Sequence, residues 1–312
     1  MKVYMIIPAG GSGKRFGGEL PKQFLDLAGV PIIIRTLQRV MSFEFIDQFI
    51  IAVHSDFKQL LEQQMQKFAI DQSKIVLVDG GLERANSIDN AMAVIPESPA
   101  VGVSETGEQS AAGDAATESV GGEDDIIMIH DAVRPFIEKE VAWECVKAAQ
   151  KHGASNAAVP AADTMLHSVD GQLVDKIPER SHLFHGQTPD VIRLKDFRRA
   201  MEILTPEQKQ INMGTVGIVV NAGIKVKIVP SLASNFKITT PEQIVLAEAI
   251  VQAQGANNRR DANIAGLEST CSSKSGVGVD GNANVVVAEP VYPPKSGAGA
   301  RAGGVSDRGD SE

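Results

Sequence analysis

The segment Pro8-Ala9-Gly10-Gly11-Ser12-Gly13-Lys14-Arg15-Phe16-Gly17 exposes clustered backbone N–H groups with two cations behind them. That composition suits a loop wrapped around phosphates. It is not a dinucleotide fingerprint, because the G-x-G at 11 and 13 would need glycine where Phe16 stands. Nor is it a Walker A loop, because Lys14 precedes Arg15 rather than Ser or Thr. Taken alone, the loop could equally be a βα turn carrying surface cations. Pro21-Lys22-Gln23-Phe24 follows closely, and the proline fixes the backbone entering Lys22, which suits a lysine that must point one way. Loop and lysine together make a cationic cup of triphosphate size.

The elements that must hold this cup are legible as an alternation. Val3–Pro8 is a continuous apolar run suited to a strand covered on both faces, and further strands are expected at 49–53, 74–78, 126–129, 156–159 and 224–229. Helical patterns fall at 32–41, 56–68, 83–95, 138–152 and 241–252, the last opening on Pro241. Regular β-α succession argues an α/β fold with a mostly parallel sheet and helices on both faces. Residues 164–186 break the rhythm: T-M-L-H-S-V-D-G-Q-L-V-D-K-I alternates and turns at Asp170-Gly171, the signature of a tight hairpin. A lone hairpin is marginal in water, so this arm is expected to pack on another chain, giving a homodimer, or on the domain body.

Composition sets the outer limits. Residues 98–124 and 253–312 hold 15 of the 29 glycines, and their only large apolar side chains beyond valine are Ile264, Leu267 and Tyr292. Neither can build a core. A disordered acidic insertion at 98–124 and a disordered tail at 254–312 are therefore expected, around one domain spanning 1–253. Residues 98–125 carry seven acids and no base, which accounts for most of the net charge of −9 and leaves the folded part almost neutral. A general basic field for nucleic acid is excluded. Two cysteines, Cys145 and Cys271, exclude a disulfide framework and a four-cysteine zinc site. No apolar run reaches the ~18 residues of a membrane span. No membrane association is expected, and with no leader ahead of the first strand a cytoplasmic protein is.

The glycine loop and Lys22 resemble the nucleotide-sugar pyrophosphorylase superfamily, and further motifs narrow the likeness. Val78-Asp79-Gly80-Gly81 with Arg84 and Ser87 comes first, then Ile129-His130-Asp131-Ala132-Val133-Arg134-Pro135-Phe136. Ala162-Asp163-Thr164, Gly186-Gln187-Thr188-Pro189 and Asn235-Phe236-Lys237-Ile238-Thr239 follow in matching order. Over residues 2–252, apart from the insertion, the chain resembles the cytidylyltransferases of polyol phosphates. The resemblance implies a three-layer, Rossmann-like nucleotidyltransferase fold with a projecting β-hairpin arm. It also implies CTP and a polyol phosphate as substrates and a divalent cation such as Mg²⁺, and the arm would be the route to the homodimer. Two acceptors are in view, ribitol 5-phosphate and 2-C-methyl-D-erythritol 4-phosphate. P-K-Q-F-L-D-L at 21–27, I-P-x-R at 177–180 and T-P-E-Q-K at 205–209 favour ribitol.

The residue roles follow from the same resemblance. Arg15 and Lys22 would stabilise the pentacoordinate phosphorus and departing pyrophosphate, and Arg180 and Lys237 would orient the acceptor phosphate. Pro8, Ala9, Gly10, Gly11, Ser12, Gly13, Gly80, Gly81, Arg84 and Ser87 would form the CTP site, with cytosine against Gly80, Gly81 and Ser87. Asp163, Thr164 and Thr188 would meet the polyol, although the first two could otherwise be a strand-end cap. Asp131 would help hold Mg²⁺, or else serve as a turn aspartate. His130 is read as structural, since an ionised phosphate oxygen attacks without a base. Met213-Gly214 stands where the family usually carries an aspartate, and Asp190 where it commonly has glutamine. The missing carboxylate admits a second reading, a nucleotide-binding module without turnover.

Overall fold

The computed structural model describes residues 1–11, 20–81, 83–96, 122, 124–205, 208 and 214–272, with side chains to residue 256 in the last stretch. Ser12, Gly13, Lys14, Arg15, Met213, nearly all of the expected insertion and residues 273–312 lie outside it. The chain divides into two units, Met1–Asn257 and Asn258–Glu312. In the second, only helical backbone as far as Ser272 is described.

Nine strands are present among the described residues: β1 (Val3–Ala9), β2 (Asp26–Leu27), β3 (Val30–Pro31), β4 (Gln48–Val53), β5 (Ile75–Asp79), β6 (Ile126–Ile129), β7 (Ala154–Pro160), β8 (Phe184–Arg193) and β9 (Val226–Pro230). Seven form one sheet in the order β5-β4-β1-β6-β8-β7-β9, and β2 pairs with β3. Only β8 runs against its neighbours in the large sheet, so the expected mostly parallel sheet is present. Helices α1 (Ile32–Val40), α2 (Ser55–Lys67) and α4 (Lys139–His152) cover one face; α3 (Arg84–Met92), α5 (Leu194–Ile203) and α6 (Gly214–Asn221) cover the other.

The two-sided burial explains why the strands read as unbroken apolar runs. In β1, Val3, Met5 and Ile7 enter the core beneath α1, α2 and α4, while Tyr4 and Ile6 enter the core beneath α3 and α5. β6 divides likewise, with Ile126 and Met128 on one side and Ile127 and Ile129 on the other. Successive strand residues point to opposite faces, so covering both faces demands apolar residues at every position.

Strand β8 and helices α5 and α6 were not expected from the sequence. Pro189 argues against a central strand, since it cannot donate to the ladder. The sheet accommodates it through an irregularity: β7 pairs Asn156 with Asp190 and then Ala158 with Gly186, leaving Gln187, Thr188 and Pro189 opposite Ala157. β6 ends at the Ile129–Asp190 pair, so no partner on that side requires a proline N–H. The arm also differs from expectation. Its turn at Asp170-Gly171 is present, with Gly171 at φ +72°, but a single bridge between His167 and Lys176 replaces a two-stranded ladder. The closing helix α7 (Pro241–Ser272) runs beyond the expected 252. No helix among the described residues is long and apolar enough to cross a membrane.

The carboxyl ends of β1, β4, β5 and β6 lie on one edge of the sheet. β1 leads to β4 on one side, while β6 returns on its other side. Such a switch point opens a crevice at the strand ends where ligands bind in α/β sheets. Two glycine segments meet there. A Cβ on Gly80 would fall 2.8 Å from Gly10 Cα and 3.1 Å from the Val53 carbonyl carbon, so the β1 and β5 loops abut backbone to backbone. We expect Gly80→Ala to lower thermal stability by roughly 2–4 kcal/mol. Gly11→Ala, whose Cβ meets nothing within 4 Å among the described residues, should stay within about 0.5 kcal/mol in the same denaturation measurement.

Candidate active site

A cleft of about 170 Å³ lies over those strand ends, lined by Pro8, Ala9, Gly10, Gly11, Lys22, Gln23, Gly81, Glu83, Arg84, Ser87, Asp131, Ala132, Val133 and Lys237. A second cavity, of about 430 Å³, shares Arg84, Asp131 and Lys237 with it and continues along Arg134, Asn156, Gly186, Gln187, Thr188, Asp190, Gly214 and Val216. Chain order separates these residues widely. The three shared side chains form the wall between the cavities.

The first cleft is shaped by short-range constraints. Gln23 is buried, and its Nε2 donates to the Ala9 carbonyl at 2.7 Å and to the Gly11 carbonyl at 3.1 Å, tying the 3₁₀ turn Lys22–Phe24 to the glycine loop. Lys22 on that turn is half-buried and lines the cleft. Gly81 N–H donates to Ser87 Oγ at 3.1 Å, and the Ser87 hydroxyl donates to the Glu83 carbonyl. Ser87 therefore braces the Gly80-Gly81 turn from the first turn of α3. Gly80 itself lies against Gly10 but does not line the cleft.

The shared wall is a cluster of charge. Asp131 follows β6 and is buried; Arg84 approaches its Oδ1 at 3.3 Å, while Arg134 and Lys237 approach Oδ2 at 3.2 and 3.1 Å. Burial alone would raise its carboxyl, but the charges of Lys237, Arg84 and Arg134 outweigh that and hold it well below the usual carboxylate range. Lys237 is aimed by its neighbours: Phe236 packs on Phe136 with ring centroids 5.9 Å apart, and Ile238 N–H donates to the Val133 carbonyl at 3.0 Å.

Behind this wall runs a chain of hydrogen bonds. Asp131 N–H donates to Thr188 Oγ1 at 3.1 Å, and Thr188 Oγ1 lies 3.1 Å from His130 Nδ1. His130 Nε2 sits 3.0 Å from the Arg134 carbonyl, which can only accept, so Nε2 carries the proton and Nδ1 accepts from the Thr188 hydroxyl. Burial pushes His130 down to about 4, keeping it neutral. Arg134 Nη1 donates to the Asn235 carbonyl at 2.7 Å, and Asn235 Nδ2 returns to the Thr188 carbonyl at 2.8 Å. His130 is thus fully buried and hydrogen-bonded at both ring nitrogens within the protein.

The expected site residues are thus divided. Pro8, Ala9, Gly10, Gly11, Gly81, Lys22, Arg84, Ser87, Asp131 and Lys237 come together, with Gly80 in support, and Thr188 lies in the second cavity with its hydroxyl hydrogen committed to His130. Asp163, Thr164 and Arg180 do not join them. All three are exposed on the segment between β7 and β8, where Arg180 Nη1 donates to the Ala162 carbonyl at 3.1 Å. Gln23, Arg134, Asn156, Asp190 and Asn235 carry positions in the site that sequence reasoning left unassigned, although all but Asn156 sit within or beside a quoted motif.

Both Asp131 oxygens already face cations, which would compete with a divalent ion for them. Among the described residues no group of three or more His, Cys, Asp or Glu side chains is placed to hold a metal. The donor set does not fit a metal caged by this chain alone. Phosphate oxygens would have to be the main ligands, the usual way Mg²⁺ is carried.

Neutral burial makes His130 a source of acid sensitivity. Its folded value lies below the unfolded 6.5, so its contribution is complete above about pH 6.5 and is lost as pH falls toward 4. Asp190, raised from 3.8 to about 6 chiefly by burial, works in the opposite sense, its penalty relieved as pH falls through 6. We expect His130→Asn to flatten the drop in thermal midpoint between pH 7 and pH 5. An unchanged slope would show that His130 is not the group responsible.

The model of the IspD family, 2-C-methyl-D-erythritol 4-phosphate cytidylyltransferase, matches residues 3–107 and 100–253. The 4-diphosphocytidyl-2C-methyl-D-erythritol synthase of Anaerococcus prevotii superposes with a TM-score of 0.61 at 23% identity, over 80% of this chain and 96% of that one. The 2-C-methyl-D-erythritol 4-phosphate cytidylyltransferase of Thermus thermophilus gives 0.59 at 21%, over 81% and 100%. That of Francisella tularensis gives 0.58 at 24%, over 79% and 98%. At these identities the superpositions establish the shared fold, while the family match spans most of the described core. With a glycine loop, a buried aspartate and its cations at the sheet's switch point, the chain belongs to the IspD family of cytidylyltransferases, a family of nucleotidyltransferase enzymes.

Proposed function

We propose that the protein transfers the cytidylyl group of CTP to 2-C-methyl-D-erythritol 4-phosphate. The observation that carries this reading is the wall of Arg84, Asp131 and Lys237 shared by two cavities, one edged by the glycine loop and Lys22, the other by polar side chains. Two anions must meet for the reaction, and this is where placed positive charge separates and joins their sites. An acceptor phosphate oxygen attacks the α-phosphorus of CTP. The new P–O bond forms as the bond to the α,β-bridging oxygen breaks, and pyrophosphate leaves with that electron pair. No proton need move, since the attacking oxygen is already ionised. Lys22 would meet charge on the departing phosphates, and Lys237 the incoming phosphate, an electrostatic role strongest where water is excluded.

The motif stretches at 21–27, 177–180 and 205–209 favoured ribitol 5-phosphate. The family match, and the activities named for the similar structures, support methylerythritol phosphate more directly. A coupled pyrophosphate assay crossing CTP with both acceptors decides between them: turnover of ribitol 5-phosphate above that of methylerythritol phosphate would reverse the assignment. In the same assay Lys22→Ala should slow pyrophosphate release by about 10².

A homodimer formed through the arm completes this reading. Leu166, Val169, Leu173 and Ile177 are 60–84% exposed on the segment between β7 and β8, more apolar surface than an isolated loop would offer to water. Arg180, Asp163 and Thr164 on the same segment would reach an acceptor cavity if that cavity belonged to a second copy. Mixing Lys22→Ala chains with Arg180→Ala chains should then restore about a quarter of normal activity, because half the dimers would be hybrids with one intact site. Activity no higher than the sum of the two separate variants would rule out arm exchange.

A further inference from the structure

We propose that Asp190 is a specificity-determining residue of the second cavity, its carboxylate receiving a hydroxyl group of the acceptor. This deepens the proposed cytidylyl transfer and rests on it. The cavity has two carboxylates in its described lining, Asp131 and Asp190. Asp131 is spent on three cations. Asp190 is not. Asn156 Nδ2 donates to its Oδ1 at 2.7 Å, the Thr215 hydroxyl donates to it, and Arg84 stops 3.9 Å from Oδ2, beyond hydrogen-bond reach. A carboxylate can accept about four hydrogen bonds, so two donors leave capacity for a ligand.

The surroundings favour a hydroxyl over a second anion or a cation. Asn156 Nδ2 also donates to the Gln187 carbonyl at 2.7 Å, which fixes the amide and with it the orientation of the Asp190 carboxylate on β8. Gly214, at φ +68°, also lines the cavity, with no side chain to fill the space. The groups facing Asp190 are Arg84 from α3, Asp131 beyond β6, Asn156 from β7 and Thr215 from α6, while the charge of Asp190 also reaches the Cys145 thiol, which is buried in the core under α4. Burial pushes the Asp190 carboxyl up to about 6, so a neutral donor that hydrogen-bonds the anion would lower it again on binding. A hydroxylated carbon chain ending in phosphate meets both requirements of the cavity: phosphate at Lys237 and Arg134, hydroxyl at Asp190.

The test compares the whole protein with Asp190→Asn, which keeps the shape and an acceptor oxygen for Asn156 while removing the charge. Pyrophosphate release from CTP is measured with methylerythritol phosphate and with its singly deoxygenated analogues. In the unaltered protein one analogue should show a KM raised by about tenfold. Asp190→Asn should raise the KM of the parent acceptor similarly, erase the distinction between parent and that analogue, and leave the KM of CTP within twofold. The discrimination of the unaltered protein should also shrink as pH falls through 6, and that of the variant should not change. If Asp190→Asn fails to fold, Asp190→Ser takes its place. An unaltered parent KM, or equal changes in the KM of acceptor and CTP, would overturn the proposal and leave cytidylyl transfer standing; the second result would mean that Asp190 acts only through Arg84. No pyrophosphate release by the unaltered protein with any alditol phosphate would overturn both.

Discussion

The buried carboxylate of Asp131 is the charge around which this site is arranged. Taking it from water is costly, and only the three cations that converge on it make the ionised form stable there. Those cations come from distant parts of the chain: Arg84 from the start of α3, Arg134 from the loop after β6, and Lys237 from the segment ahead of α7. The ion cluster therefore fixes three connections at one point on the sheet. Phosphates entering either cavity meet cations whose positions are already set, so little ordering remains to be done on binding.

The cluster could not hold its geometry without the neutral network beneath it. Thr188 accepts from the Asp131 amide and donates to His130, His130 donates to the Arg134 carbonyl, and Arg134 reaches Asn235, which returns to Thr188. The loop closes on itself. Each member is buried, so an open link would leave a polar group without water or partner. This is why the H-D-A-V-R-P-F, G-Q-T-P and N-F-K-I-T motifs, far apart in sequence, behave as one structural unit. The irregularity in β8 belongs to the same unit, because Thr188, the residue that meets both Asp131 and His130, lies within it.

Much of the architecture was legible in the residues. Val3–Ala9, Gln48–Val53 and Ile126–Ile129 declare themselves because a strand covered on both faces must be apolar throughout, a local property of the chain. Gly10, Gly80 and Gly81 were expected at the CTP site, and the backbone-to-backbone contact of Gly10 with Gly80 is what the structure adds. The charged residues of the site could be listed from their motifs, but not their partners. Asp131 was expected to face a metal, and only the positions of Arg84, Arg134 and Lys237 show that its oxygens are engaged. Arg180 was expected at the acceptor phosphate yet stands apart from the site within one chain.

By itself, the sequence determined the α/β alternation, because burial on both faces of the sheet leaves its mark on neighbouring residues. Tertiary structure alone decided that β8 would enter the sheet despite Pro189, that Gln23 would tie down the glycine loop, and that Asp190 would face the second cavity. These depend on which strand lies beside which and on distances of a few ångströms between residues far apart in the chain. Such distances are set when the two faces of the sheet are covered, and no run of neighbouring residues encodes them.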